Sequence, residues 1–275
     1  MKIYDVIIIG LGCAGAGAFL QARKSTESIM AIEEKRIGGR IRWADNVTNM
    51  PLVKSISGKE CARAFEKQLT ERAEIKYEKC ICIRERNGCV EIETDKGFHA
   101  GKFAVVCTGR EPKNFKKTKL ELKTIHDKTA GRNVCIIGGG EVSVDYAISL
   151  KKRQINAEVV SRGGFEKINK ELLENAKRMK IKLNGNCSVK SIEKDRGFIV
   201  KFTKNNKSFS KRFTDVISCI GTKKSIPQII RTGSKSKRVL YAGTLKDSMR
   251  VQCAIAFADG VRAGMEVTDK LRNEK

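Results

Sequence analysis

Asp5-Val6-Ile7-Ile8-Ile9-Gly10-Leu11-Gly12-Cys13-Ala14-Gly15 is the stretch on which the reading of this 275-residue chain turns. Val6 to Ile9 has no polar interruption, the pattern of a strand buried on both faces of a parallel sheet. Glycines end that run, and the segment from Ala16 to Arg23, rich in small residues, reads as a helix. Ile29-Met30-Ala31-Ile32 reads as a second buried strand, closed by Glu33-Glu34. A pyrophosphate bridge carries two negative charges and needs backbone donors at close range. The free N–H groups and positive dipole end of a helix's first turn supply them. In such a turn Gly10 makes the bend, Gly12 clears the place where phosphate approaches, and Gly15 lets the helix lie against the strand, with Cys13 and Ala14 alongside. An acid about 20 residues further on completes the fingerprint. Glu33, or Glu34 in its place, can accept hydrogen bonds from the ribose hydroxyls of an adenosine; a solvated acid pair is the plainer reading.

The same grammar recurs. Asn133-Val134-Cys135-Ile136-Ile137 is a strand, Gly138-Gly139-Gly140-Glu141-Val142-Ser143 the turn, Val144 to Lys152 the helix, and Ala157-Glu158-Val159-Val160 the next strand. Gly138, Gly140, Glu141 and Ser143 are the residues expected to face a second nucleotide. No acid closes this unit; Ser161-Arg162 stands there instead. An arginine can hold a 2′-phosphate through charge-assisted hydrogen bonds, so Arg162 favours NADP(H) over NAD(H), with a surface cation as the alternative.

Between the units, Ile75 to Ile83 and Cys89 to Thr94 alternate around Asn87-Gly88, a hairpin signal, before a strand running into Val105-Val106-Cys107-Thr108-Gly109. Ile181 to Ile192, Phe198 to Phe202 and Val216 to Gly221 mirror them. Lysine-rich, aperiodic stretches at Pro112–Lys123 and Thr222–Arg238 read as connections. The expected fold is therefore α/β, with two Rossmann-like dinucleotide-binding domains, each combining a parallel sheet with an antiparallel meander. The first spans 1-112 and 239-275; the second, inserted, spans 113-238.

Hydrophobic residues make up 40% and charged residues 32%, which fits a packed core and argues against disorder. No apolar run approaches the ~20 residues of a membrane span, and the apolar stretch near the start is too short for a signal peptide. The expectation is a cytoplasmic protein. Ten cysteines contain no CxxC pair, so no zinc ribbon or vicinal disulfide is written locally, and they read as reduced, packed thiols. Cys80 and Cys82 would share one strand face, and Cys13 would sit at a helix N-terminus; packing is the expectation for each. His99 and His126 read as isolated surface histidines. The net charge of +25 attracts anionic partners, yet the lysines are spread along the chain without a nucleic-acid motif.

Taken in order, several further segments resemble the low-molecular-weight thioredoxin reductase family with its ferredoxin-type NADP reductase relatives, across nearly the whole chain. Gly38-Gly39-Arg40-Ile41 and Val47-x-Asn49-x-Pro51 resemble the segment that lines the flavin, with Asn49 matching the asparagine that contacts the isoalloxazine. Arg42 and Trp43 follow and would border the ring. Cys107-Thr108-Gly109 is similar to the family's ATG turn, while Ala242-Gly243-Thr244, Gln252-Cys253 and Asp259-Gly260 are similar to its closing FAD segment. The resemblance implies FAD in the first domain, NADP(H) or NAD(H) in the second, and a homodimer. It also has departures. Where the family carries CxxC this chain reads Glu121-Leu122-Lys123-Thr124, the aspartate after Gly243 is Thr244, and the paired arginines are reduced to Arg162.

These readings converge on an FAD-dependent NAD(P)H oxidoreductase that moves hydride between nicotinamide and flavin and passes electrons to an external acceptor, without thioredoxin reductase activity. Such chemistry belongs to the cofactors, which explains why no catalytic triad or metal cluster stands out. An acidic carrier such as ferredoxin or flavodoxin fits the charge, with Lys113, Lys116, Lys117, Lys119, Lys223, Lys224, Lys235, Lys237 and Arg238 as candidate contacts. The alternatives are a nucleotide-binding accessory protein without turnover, or a flavoprotein reduced directly by ferredoxin.

Overall fold

The computed structural model describes residues 2–50, 55–71, 73–86, 88–113, 133–231, 237–246 and 252–274. These form two compact units, Met1–Arg110 with Lys224–Lys275, and Glu111–Lys223. Asn87, Pro51, Glu121 to Thr124, His126, Lys116, Lys117, Lys119 and Lys235 lie outside the described residues.

In the first unit, strand β1 (Ile3–Ile9) leads into helix α1 (Cys13–Ala22) and returns as β2 (Ile29–Ile32). β1 lies between β2 and β6 (Phe98–Val106), parallel to both. β3 (Glu74–Lys76) extends the sheet beyond β2, and β17 (Val239–Tyr241) joins the far half of β6. The uninterrupted apolar run has its reason here. Val6 and Ile8 face the cluster formed with α1, while Ile7 and Ile9 face the cluster on the other side of the sheet. β4 (Cys80–Arg86), β5 (Cys89–Thr94) and the first half of β6 form the antiparallel meander around Gly88, whose φ is +90°. Helix α2 (Gly58–Thr70) begins at a capping box: Ser57 accepts from the Glu60 N–H, and the Glu60 carboxylate accepts from the Ser57 N–H.

In the second unit, β8 (Asn133–Ile137), helix α3 (Glu141–Lys152) and β9 (Asn156–Val160) repeat the crossover. Their parallel sheet runs β10 (Lys182–Asn184), β9, β8, β14 (Asp215–Ser218). Val134 and Ile136 pack towards the helices, whereas Cys135 and Ile137 pack against the meander β11 (Cys187–Lys194), β12 (Phe198–Lys204), β13 (Lys207–Phe213). Phe202 meets Phe213 edge-on at 6.2 Å in that second cluster. Helix α4 (Lys170–Arg178) is capped by Asn169, whose side chain accepts from the N–H groups of Glu171 and Leu172 at 2.9 and 3.4 Å. Asn169→Ala is expected to cost about 1 kcal/mol in chemical denaturation, the usual worth of an N-cap.

Several expectations are corrected. Ile75–Ile83 and Ile181–Ile192 are each two strands. The leading pieces, β3 and β10, pair parallel with β2 and β9, and only the trailing pieces enter the meanders. Gly185 and Asn186, the latter at φ +53°, make the break in the second. Thr222–Arg238 is not aperiodic in its described part: it holds β15 (Thr222–Lys224), which pairs with β7 (Arg110–Pro112), and β16 (Gln228–Arg231), which pairs with β4, and the chain is back in the first unit from Lys224. β13, α2 and α4 were not anticipated. His99 is no loose surface group; it lies within β6 with Nε2 2.7 Å from the Glu78 carboxylate. Cys80 and Cys82 do not share a regular face, because a bulge separates them; Cys82 is buried, and burial pushes the Cys80 thiol up to about 12.

Candidate functional site

At the crossing from β1 to α1, two of the three fingerprint glycines are demanded by the fold. Gly10 has φ +89°, and a Cβ there would stand 2.8 Å from the Cys107 carbonyl oxygen. A Cβ at Gly15 would stand 1.9 Å from the Gly10 oxygen. Gly12 differs. Its backbone is extended, φ −73°, and a Cβ would meet nothing nearer than the Gly38 oxygen at 4.0 Å. Gly12 caps α1 without a side chain, so no capping group covers the N–H groups of the first turn, and the space beside Gly12 itself is open. That is a cradle an anion can enter.

Glu33 closes the crossing from below. Its carboxylate accepts from the Leu11 N–H at 2.7 Å, the Lys35 N–H at 2.9 Å and the Arg36 N–H at 3.2 Å. A carboxylate has about four acceptor sites, which leaves capacity for a ribose hydroxyl. Burial raises the Glu33 pKa, partly offset by the amides it accepts from. A folded pKa above the unfolded one gives stability that is fully present below the ordinary value of about 4.3 and lost as pH rises through the folded value. Glu33→Gln should abolish this component, measured as the difference in unfolding free energy between the two chains across that window. Glu34 is half-exposed, its carboxylate 3.8 Å from both Lys35 and Lys79.

The other first-unit candidates gather around the same helix end. Gly38 (φ +93°) donates its N–H to the Leu11 oxygen at 2.7 Å, and a Cβ at Gly39 would lie 3.3 Å from Gly12 Cα. Asn49 Nδ2 donates to Gln252 Oε1 at 2.6 Å, joining two residues expected to touch the flavin. Thr108 Oγ1 donates to the Ser225 oxygen, and a Cβ at Gly109 (φ +68°) would meet Thr244 Oγ1 at 3.6 Å. Gly243 (φ +74°) donates its N–H to Asp259 Oδ2 at 2.7 Å. Asp259, which the resemblance places in the closing FAD segment, belongs to helix α5 (Cys253–Arg272); its bond to Gly243, like the contact of Ser225 with Thr108, is tied to these glycines by nothing in the sequence spacing. Arg40 is exposed. Arg42 is held elsewhere, donating to the Ile37 oxygen at 2.6 Å and pairing with Glu66 at 2.9 Å.

Cys13 does not simply pack. Its Sγ lies 3.1 Å from Cys253 Sγ. The hydrogen bond to Cys253 raises the Cys13 thiol far above its ordinary range, with burial adding to it. The same hydrogen bond lowers Cys253, against the opposing effect of burial and with Cys61 assisting. Cys61 is buried, and burial pushes it up to about 11.

In the second unit a Cβ at Gly138 would stand 2.4 Å from the Cys219 oxygen, and one at Gly139 2.2 Å from Ser161 Oγ. Gly140 caps α3, and a Cβ there would meet nothing within 4 Å, repeating the open position of Gly12. Ser143 is buried and donates its hydroxyl to the Gly140 oxygen at 2.6 Å, so it shapes the turn. Glu141 accepts from the Asn169 N–H at 3.3 Å, and Arg162 is exposed beside buried Ser161.

Two Rossmann-like units, each with a glycine turn opening onto a helix N-terminus, define a thioredoxin reductase-like fold. The family model described as pyridine nucleotide-disulphide oxidoreductase matches residues 4–235, and the chain belongs to that family of oxidoreductases. It is 28% identical over 183 residues to thioredoxin reductase of Treponema pallidum (strain Nichols), covering 62% of this chain and 60% of that protein. It is 24% identical over 209 residues to ferredoxin–NADP reductase 2 of Bacillus subtilis (strain 168), covering 66% of this chain and 60% of that one. The crystal structure of T. acidophilum thioredoxin reductase superposes with a TM-score of 0.83 at 22% identity, over 99% of this chain and 100% of that one. The matched regions span about three-fifths of these two curated relatives, 60% of each. No helix among the described residues is long and apolar enough to cross a membrane.

Proposed function

We propose that the chain is an FAD-dependent NAD(P)H oxidoreductase that hands electrons to an external carrier. The observation that carries this reading is the pair of open glycines, Gly12 and Gly140, each capping a helix with space where a side chain would stand. The first unit would hold FAD: the α1 amides and Gly12 on the pyrophosphate, Glu33 on the ribose, Asn49 and Gln252 towards the ring. The second would hold the nicotinamide nucleotide at Gly140 and Glu141, with Arg162 favouring a 2′-phosphate. When bound, the two cofactors supply the hydride transfer. The residues of the chain bind and orient them, and Thr244 offers a hydroxyl at the position where the family resemblance implies an acid. Assembly as a homodimer in the cytoplasm belongs to the same reading.

An acidic one-electron carrier is the proposed acceptor, supported by the net charge of +25 and by the ferredoxin–NADP reductase among the relatives. Lys113, Lys223, Lys224 and Lys237 are exposed and suited to meet it. Arg238 is not, since it pairs with Glu274 at 2.6 Å and lies over the Phe103 ring at 5.0 Å. Thr244 supports a second reading, a nucleotide-binding accessory protein without turnover.

The purified protein decides between them. The enzyme is yellow and is bleached anaerobically by NADPH or NADH; a colourless chain that takes up no FAD overturns the first reading. With ferredoxin or flavodoxin as acceptor, kcat/KM should fall several-fold between low and physiological ionic strength. A rate indifferent to salt removes the acidic carrier.

A further inference from the structure

We propose that Cys13 and Cys253 form a redox-active dithiol site, which a hydroperoxide closes to a disulfide. The two residues stand 240 positions apart in sequence, and their sulfurs meet at 3.1 Å. A disulfide needs about 2.05 Å, so closure asks for about 1 Å of further approach. Each is the first residue of its helix, α1 and α5, where the dipole favours a thiolate.

The backbone around the pair is fixed by unusually close helix packing. A Cβ at Gly17 would stand 2.4 Å from the Phe257 oxygen, one at Gly260 2.0 Å from the Ala14 oxygen, and one at Gly264 2.8 Å from the Ala18 oxygen. Small residues therefore let α1 and α5 touch backbone to backbone, which sets the distance between their first turns. Both cysteines are only half-buried, so a small oxidant can reach them; Cys107 and Cys135 are sealed in the cores. The two thiols also differ in character. Their mutual hydrogen bond raises Cys13 and lowers Cys253, which makes Cys253 the readier anion.

The chemistry balances in two steps. The Cys253 thiolate attacks the hydroperoxide, breaking its O–O bond and forming an S–O bond; the departing alkoxide takes a proton and leaves as the alcohol. The Cys13 sulfur then attacks the Cys253 sulfenic sulfur, forming the S–S bond, while hydroxide leaves with the Cys13 proton as water. Two thiols lose two electrons, and the hydroperoxide gains them as alcohol and water. A small thiol reverses the change by exchange.

The test uses the full chain, reduced, freed of reductant, exposed to hydrogen peroxide, alkylated, digested without reduction and weighed. The expected product is the Cys13 peptide joined to the Cys253 peptide, two hydrogens lighter than their sum and separated again by dithiothreitol. Cys13→Ser and Cys253→Ser should each lose it, and Cys61→Ser should keep it. Recovery of Cys13 and Cys253 as separate alkylated peptides, or a cross-link that uses Cys61 in place of either, overturns the proposal. The mass does not depend on flavin content or turnover, so a colourless protein would leave this inference standing while removing the proposed function.

Discussion

Gly12→Asp should leave a chain as stable as the original that no longer retains a dinucleotide in its first unit. The backbone at Gly12 is extended and open to any side chain, and a Cβ there has no neighbour closer than 4.0 Å. Gly12 is also the N-cap of α1, a position that aspartate favours, because its carboxylate accepts from the free amides of the first turn. Those are the amides that would otherwise meet the pyrophosphate. The substitution thus helps the helix while filling the cradle and adding a negative charge to it. A like charge about 4 Å away costs about 4 kcal/mol at a partly screened site, roughly a thousandfold in affinity. The chain should keep its melting temperature as apoprotein and lose its flavin on gel filtration. Gly12→Ala fills the space without the charge and should weaken binding less. A Gly12→Asp protein that stays yellow with unaltered FAD affinity places the cofactor elsewhere.

The contrast between Gly12 and its neighbours explains what the sequence could and could not convey. Both strand–glycine–helix crossings were readable because their strands are buried on both faces and so carry unbroken apolar runs, Val6–Ile9 and Val134–Ile137. The same rule failed one layer out. Ile75–Ile83 and Ile181–Ile192 each join an edge strand of the parallel sheet to the first strand of a meander, and both pieces are apolar enough to read as one. β16 was hidden because only Ile229 and Ile230 mark it, within lysine-rich flanks, and its support is the buried Glu85 that pairs with Arg231 at 3.2 Å. Asn49 and Gln252 were reached through resemblance, and their hydrogen bond joins them across the length of the chain. The meeting of Cys13 with Cys253 was written in no local spacing, since it depends on how α1 and α5 pack. Distance in sequence carries no signal of that kind.

That packing makes Gly260, with Gly15 and Gly58, one of the most demanding positions in the first unit. A Cβ there would stand 2.0 Å from the Ala14 oxygen and 3.0 Å from Ala14 Cα, and neither atom can rotate away as a side-chain end could. Gly260→Ala must push α5 off α1. Both helices bury their facing sides, with Ala14, Ala18, Ala256, Ala263 and Val267 in one cluster, so separation opens gaps along the whole contact. Overpacking of this kind costs about 3 kcal/mol, and Gly260→Val, with two further methyl groups, should prevent the unit from folding. Gly163→Ala, with nothing within 4 Å, serves as the control and should change stability by less than about 0.5 kcal/mol. Denaturant unfolding of the apoprotein reads this directly: a lower midpoint with an unchanged slope marks lost stability, not a new unfolded state. The displacement also shifts Ala14 and Cys13, so flavin retention and the sulfur-to-sulfur approach should fail together with stability, whereas Gly12→Asp removes the flavin alone. A Gly260→Ala chain with an unmoved midpoint would mean that α1 and α5 do not touch backbone to backbone.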